Sequence, residues 1–138
     1  MNIVESIRAA GVVGAGGAGF PAHVTLNGKA EFVIANGAEC EPLLRVDQLL
    51  MQREAKRVVR GMELAMEATG AGHGVIATKA HYYDAVHALE QALGGRSDIR
   101  LHLMDSYYPS GDEKSIIFEV TGRVVPSGKL PLDVGCVV

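Results

Sequence analysis

Apolar and polar positions recur along the chain with two periods, one typical of amphipathic helices and one typical of strands. Helical spacing covers residues 2–11, 43–68 (with room for one break) and 82–95, and a further helix opens at Ser110. Short apolar or alternating runs predict strands at residues 32–35, 75–78 and 99–103, and the segment 122–138 has the pattern of strand and turn. Strands that alternate with helices predict an α/β fold, a layered α/β/α domain with a mostly parallel sheet.

The size and composition are those of one globular domain over residues 1–138, with no internal repeat and no linker. The formal net charge is −3 and no basic block occurs, which argues against nucleic acid as a partner. Two cysteines, Cys40 and Cys136, are too few for an iron–sulfur cluster, and the five histidines lack ligand spacing, so no metal site is predicted. Few cysteines without a signal peptide favour the cytoplasm, and no apolar run is long enough for direct membrane insertion.

A glycine-rich loop follows the first predicted helix. Gly14, Gly16 and Gly19 satisfy the G-x-G-x-x-G pattern of dinucleotide-binding loops. The context differs from a Rossmann unit, because a helix precedes the loop, and Phe20, Pro21 and then a strand follow it. The fold is therefore expected to be Rossmann-like, but with a helix before the loop. Such a loop either presents backbone N–H groups to an anion or serves only as a tight, mobile connection, and the pattern alone leaves both open.

Two further stretches carry candidate binding chemistry. "NGAECEP" (36–42) lies at the carboxyl end of a predicted strand, and Glu39 and Glu41 suit hydrogen bonds to hydroxyl or ring N–H groups. Taken alone, it is better interpreted as an acidic loop before a helix. In "YYPSGDEKSI" (107–116), Ser110 and Glu113 have the spacing of a helix capping box, which requires no ligand. Tyr107 and Tyr108 would lie beside that helix terminus.

Together, G-x-G-G-x-G-F-P, N-x-x-E-x-E-P and Y-P-S-G-D-E resemble the flavin- and NADH-binding domain of RnfC-type electron-transport subunits, PduS-type cobalamin reductases and the NADH-oxidising subunit of respiratory complex I. The resemblance extends from about Gly11 to Val138, and the tail from Glu119 is especially similar to the RnfC and PduS branch. In that family Lys is usual where this chain has Thr25, so one charge-assisted contact to the cofactor is missing here.

The resemblance implies roles for eleven residues, none of them catalytic in the strict sense. The loop would wrap FMN, Asn36 and Glu39 would approach the flavin, Phe20 and Glu41 would meet NADH, and the third motif would line the same cavity. The implied cofactor-binding residues are Gly14, Gly16, Gly17, Gly19, Phe20, Asn36, Glu39, Glu41, Tyr108, Gly111 and Glu113.

The resemblance further implies an electron-transfer flavoprotein domain, which accepts hydride from NADH and passes electrons to iron–sulfur clusters outside this chain. The chain would then be the N-terminal part of a longer subunit, working with other subunits of an electron-transfer complex and peripheral to the inner membrane or inside a bacterial microcompartment. The chain on its own could form a homodimer. The alternative is a non-catalytic scaffold or interaction module that retains the fold, which Thr25 favours.

Overall fold

A four-stranded parallel sheet forms the centre of the computed structural model, which describes residues 1–41, 43–107 and 109–138. The strands are β1 (Phe32–Gly37), β2 (His73–Lys79), β3 (Ile99–Met104) and β4 (Cys136–Val137). Their order across the sheet is β3-β2-β1-β4, and every neighbouring pair is parallel. The predicted α/β fold with a mostly parallel sheet is confirmed.

Six α-helices and one 3₁₀ turn surround this sheet in the described part of the chain. The helices are α1 (Ile3–Ala9), α2 (Ala22–Thr25), α3 (Val46–Arg53), α4 (Ala55–Thr69), α5 (Tyr83–Leu93) and α6 (Glu113–Thr121), and the 3₁₀ turn is Pro131–Val134. The first helix is capped as its sequence dictates: Asn2 and Glu5 each accept a hydrogen bond from the other's backbone N–H. None of the described helices has the length and apolar character of a membrane-spanning segment.

The two faces of the sheet bury separate apolar cores, which makes the domain three-layered. On one face, Val33 and Ile76 pack with the buried side chains of α3, α4 and α5. On the other face, Ile34 and Val75 pack with Ile116 of α6. Adjacent strand residues point to opposite faces, so each strand contributes to both cores, and the central strands β1 and β2 contain continuous apolar runs.

Three local expectations differ from the structure, whereas the single break allowed in the long helical segment is found at Glu54. The short helix α2 lies between the glycine loop and β1, and the tail contains a 3₁₀ turn before a strand of only two residues. In β3 the expected alternation fails at Leu103, which is half exposed. Short helices and edge positions escape pattern analysis because few apolar residues mark them.

Arg123 holds the C-terminal segment against the start of β1. Its guanidinium donates to the Val134 carbonyl at 2.8 Å and to the Glu31 carboxylate, and it lies over the Phe32 ring at 5.1 Å. These contacts fix the segment that enters β4 beside β1.

Candidate functional site

The order of the strands reverses between β1 and β4: β2 and β3 follow on one side of β1, whereas β4 pairs with its other side. Open α/β sheets bind ligands at such a switch point. The helices that follow β1 cover one face, whereas α6, which precedes β4 in sequence, covers the other. Since β4 pairs only with Phe32 and Val33, the rest of β1 has no strand neighbour on that side within the described residues. A crevice is therefore left beside the carboxyl half of β1.

A cavity of about 720 Å³ occupies this crevice, within the usual range for small-molecule sites. The loop residues Gly14, Gly16, Gly19 and Phe20 form one wall, Ile34 and Ala35 of β1 another, and Glu113 stands at the first position of α6. The remaining walls come from α2, α4 and the segments 130–132 and 136–138, and they are almost entirely apolar. No Lys, Arg or His side chain of the described residues lines it.

The glycine-rich loop is closed at its base by backbone hydrogen bonds. The Gly14 N–H donates to the Phe20 carbonyl at 2.7 Å, the Ala22 N–H donates to the Val12 carbonyl, and Val13 and Pro21 form an antiparallel bridge. The residues between Gly14 and Phe20 are exposed, and Phe20 itself is 57% exposed. The loop is thus a defined hairpin-like projection whose backbone faces the cavity.

The fold requires glycine at only some of the loop positions. Gly17 and Gly19 have φ values of 97° and 66°, which side chains rarely adopt. Gly16 has no such φ, and a Cβ added there would meet nothing within 4 Å. Nothing inside the folded chain explains glycine at Gly16, whereas a ligand in close contact with the backbone would.

The second and third motifs are joined by hydrogen bonds from side chains of the second motif to the backbone of Gly111, although Asn36 and Gly111 are 75 residues apart. Asn36 donates from Nδ2 to the Gly111 carbonyl at 2.8 Å and accepts from the Ala38 N–H, and the Gly111 N–H donates to the Cys40 Sγ at 3.1 Å. A Cβ on Gly111 would lie 2.3 Å from the Ala38 carbonyl oxygen. Gly111 is therefore glycine because two chain segments pass in contact there.

The Glu39 carboxylate lies close to two other ionisable side chains, Asp47 and Tyr82. Its Oε1 accepts a hydrogen bond from the backbone N–H of Asp47 in the first turn of α3, and its Oε2 is buried without a partner in the described structure. Burial, and then the Glu39 charge, raise the pKa of Asp47 above its ordinary value. Burial is also the main cause of a raised pKa at Tyr82, with Glu39 again contributing. Much of the Glu39 carboxylate is thus engaged with α3, and one oxygen is left for a further donor.

The predicted capping box at Ser110 and Glu113 is wrong. The helix begins at Glu113, and its N-cap is Asp112, which accepts hydrogen bonds from the Ser115 N–H and hydroxyl at 3.1 Å. Contact of Gly111 with Ala38 keeps this segment non-helical until Asp112. Ser110 is instead fully buried, and its hydroxyl has no partner among the described atoms.

The structure divides the predicted site residues into two adjacent groups. Four loop residues and Glu113 line the cavity, whereas Asn36, Glu39 and Gly111 form the cross-linked turn behind the α6 N-terminus. Gly17 and Glu41 are exposed and do not line the cavity, and Tyr108 falls outside the described residues. Sequence reasoning missed Lys79, whose Nζ donates to the Glu39 carbonyl at 2.7 Å, because a lone lysine at the end of a strand carries no motif.

Comparison with known proteins decides the family. Residues 7–138 match the family model described as the Nuo51 FMN-binding domain. The chain belongs to this family.

Relatives of this FMN-binding domain agree with the resemblance expected from the three motifs. The chain is 53% identical over 137 residues to the cobalamin reductase PduS of Citrobacter freundii, covering 99% of this chain and 30% of that protein. It is 44% identical over 140 residues to a subunit of the Na(+)-translocating ferredoxin:NAD(+) oxidoreductase complex of Acetobacterium woodii, covering 99% and 32%. The chain thus spans about a third of the length of these relatives.

Solved structures show the same fold. A chain of an NAD+-reducing [NiFe]-hydrogenase in its H2-reduced state superposes with a TM-score of 0.79 at 25% identity, covering 98% of this chain and 27% of that one. The air-oxidised form of the hydrogenase gives the same score at 27% identity, covering 99% and 27%. The resemblance inferred from the three sequence motifs is therefore confirmed.

The residues present fit a flavin nucleotide. The apolar walls suit a flat ring system, and the open space at Gly16 allows a ligand to contact the backbone. The one poor match is charge. Among the described residues, the cavity lining has no cationic side chain to pair with an anionic group of the ligand.

Proposed function

We propose that this domain binds FMN in the cavity between the glycine-rich loop and β1, and binds NADH at its open side. The observation that carries the proposal is Gly16, a glycine that the fold does not require and that leaves the backbone open toward the cavity. The family match supports FMN, and the exposed Phe20 at the cavity supports an approaching nicotinamide ring.

In this proposal the site residues bind and orient rather than react. Gly14, Gly16, Gly17 and Gly19 hold the flavin nucleotide by close contact with the loop backbone, in which the Gly14 N–H is already bonded to the Phe20 carbonyl. Asn36, Glu39, Tyr108, Gly111 and Glu113 complete its surroundings. Phe20 and Glu41 contact NADH. Bound FMN supplies hydride acceptance from NADH and release of electrons one at a time. The apolar walls exclude water from the ring, and no side chain acts as a nucleophile or base.

The electron acceptors lie outside these 138 residues in our proposal. Two cysteines cannot hold a four-iron cluster, and the relatives are about three times as long, so we place the iron–sulfur clusters in a longer subunit of which this domain is the N-terminal part. The higher identity to PduS than to the ferredoxin:NAD(+) oxidoreductase subunit favours cobalamin reduction over ferredoxin-linked electron transport. The mass of the native protein tests this arrangement: a native chain of 138 residues would contradict it.

A titration of the purified chain with FMN tests the central proposal. We expect quenching of flavin fluorescence and a melting temperature that rises with FMN concentration, because a ligand that binds only the folded state stabilises it. Adding NADH should then bleach the flavin absorbance. An unchanged melting temperature and fluorescence would instead support the scaffold alternative, and FMN binding without bleaching would refute the NADH part alone.

A further inference from the structure

Lys79 is a buried charge. It ends strand β2 at the edge of the sheet where the candidate site lies, and only 8% of its surface is exposed. No other buried side chain in the described part of the chain carries a formal charge at neutral pH. Because burying an isolated ammonium costs free energy, its surroundings should show what compensates it.

The observed compensation is small. The Lys79 Nζ donates to the Glu39 carbonyl oxygen at 2.7 Å, but it forms no ion pair with any carboxylate in the described structure. The nearby Glu39 carboxylate is directed to the Asp47 N–H instead. An ammonium has three N–H donors, and the Glu39 carbonyl accepts from only one of them. The positive charge of Lys79 has no partner of opposite sign among the described residues.

The turn that Lys79 holds connects directly to the cavity. Glu39 and Cys40 belong to the segment that bonds to both backbone groups of Gly111, and two residues later Glu113 lines the cavity. Lys79 thus fixes the end of a chain of contacts that determines where α6 begins. It also places a positive charge at the carboxyl end of the sheet, although Lys79 itself does not line the cavity, whose lining lacks a cation among the described residues.

We propose that Lys79 is a positioning residue of this site, which holds the Asn36–Cys40 turn through the Glu39 carbonyl and supplies the positive charge that favours an anionic flavin nucleotide. The inference rests on the proposed FMN function. The anionic group in this inference is the phosphate.

Three variants separate this role from a merely structural one. Lys79→Met removes the charge and the donor, Lys79→Arg retains both, and Lys56→Met removes an exposed lysine of α4 as the matched control. For each we would measure the melting temperature without ligand and the dissociation constants of FMN and riboflavin.

We expect Lys79→Met to keep or raise the melting temperature, because it replaces an unpaired buried charge by an apolar side chain. It should weaken FMN binding by about tenfold or more, while Lys79→Arg stays within about threefold of the parent protein and Lys56→Met is unchanged. A larger loss for FMN than for riboflavin, which lacks the phosphate, would support the charge role of Lys79. Equal losses would refute that role and leave only the positioning of the turn.

Two results would overturn the inference while leaving the FMN proposal intact. One is FMN binding by Lys79→Met that equals FMN binding by Lys56→Met. The other is a loss of FMN binding in Lys79→Met that comes with a lower melting temperature, when Lys79→Arg restores neither quantity. Absence of FMN binding by the parent protein would refute both proposals together.

Discussion

Glycines at the candidate site are present for three different physical reasons. Gly17 and Gly19 adopt positive φ, and Gly111 has no room for a Cβ because the Ala38 carbonyl is in contact. Gly16 has neither constraint. The first two reasons concern the fold, whereas glycine at Gly16 leaves the backbone open at the cavity wall, where we propose that the flavin binds.

Replacing Gly16 by valine should therefore separate folding from binding. The free energy of unfolding should change by less than about 0.5 kcal/mol, because the side chain enters open space at a permitted φ. FMN binding should weaken by at least about tenfold, since the side chain fills space needed by the ligand. Fluorescence titration and urea denaturation measure the two quantities.

Gly72 provides the matched control for this variant. It too lacks a positive φ and has nothing within 4 Å of an added Cβ, but it lies outside the cavity. Gly72→Val should leave both stability and FMN affinity close to the parent values. Equal FMN binding by the two variants would show that the loop backbone at Gly16 does not contact the flavin.

At the level of elements, the start of α6 shows how a tertiary contact overrides a local signal. The Ser110 and Glu113 spacing predicts a capping box, but packing of Gly111 on Ala38 delays the helix, and Asp112 becomes the cap. A single sequence does not report a contact between segments 75 residues apart, so the local spacing predicts the wrong cap.

Alanine substitutions distinguish the two caps. Asp112→Ala should lower the free energy of unfolding by about 1 kcal/mol, because two donors at Ser115 lose their acceptor. Ser110→Ala should be neutral or stabilising, since the hydroxyl is buried without a partner. Urea denaturation of both variants is the measurement, and a larger loss for Ser110→Ala would restore the capping box.

The elements that sequence analysis predicted correctly are those with long, periodic apolar patterns. The strands β1 and β2 and the helix α5 each follow such a pattern and end at turn residues. The missed features depend on contacts that no local pattern encodes. They include the four-residue helix α2, the two-residue strand β4 and the bond from Lys79 to Glu39. The motifs indicated the site, but its division into a cavity and a supporting turn required the three-dimensional structure.

At the scale of the whole molecule, charged side chains that do not line the cavity join α4 to the segment before β3. Arg96, in the connection between α5 and β3, pairs with Glu63 of α4 and with Asp98 just before β3. Arg60 also reaches Glu63 at 2.8 Å. Since none of these four side chains lines the cavity, variants of this network should alter stability without altering the flavin site.

The network predicts a definite pH dependence. The hydrogen bond from Arg96 is the main cause of a lowered pKa at Asp98, and bonds from Arg60 and then Arg96 lower the pKa of Glu63. A carboxyl whose pKa is lowered by folding binds protons more readily in the unfolded state. The stabilising contribution of each carboxyl is thus complete when the pH is above its ordinary pKa, 3.8 for Asp98 and 4.5 for Glu63. It is lost as the pH falls through the lowered pKa of the folded state.

Arg96→Met should consequently be less stable than the parent protein at pH 7, and the difference should shrink as the pH falls below the ordinary carboxyl pKa values and through the lowered folded-state values. Urea denaturation at pH 7 and at an acid pH below both ordinary values measures it. Arg57→Met is the control, because Arg57 meets Glu54 only at 3.6 Å with 83% of its side chain exposed, and such surface pairs contribute little at either pH. A stability loss for Arg96→Met that is equal at both pH values would mean that its side chain acts through packing rather than charge. FMN affinity should stay at the parent value in both variants, because neither arginine contacts the cavity or the turn held by Lys79.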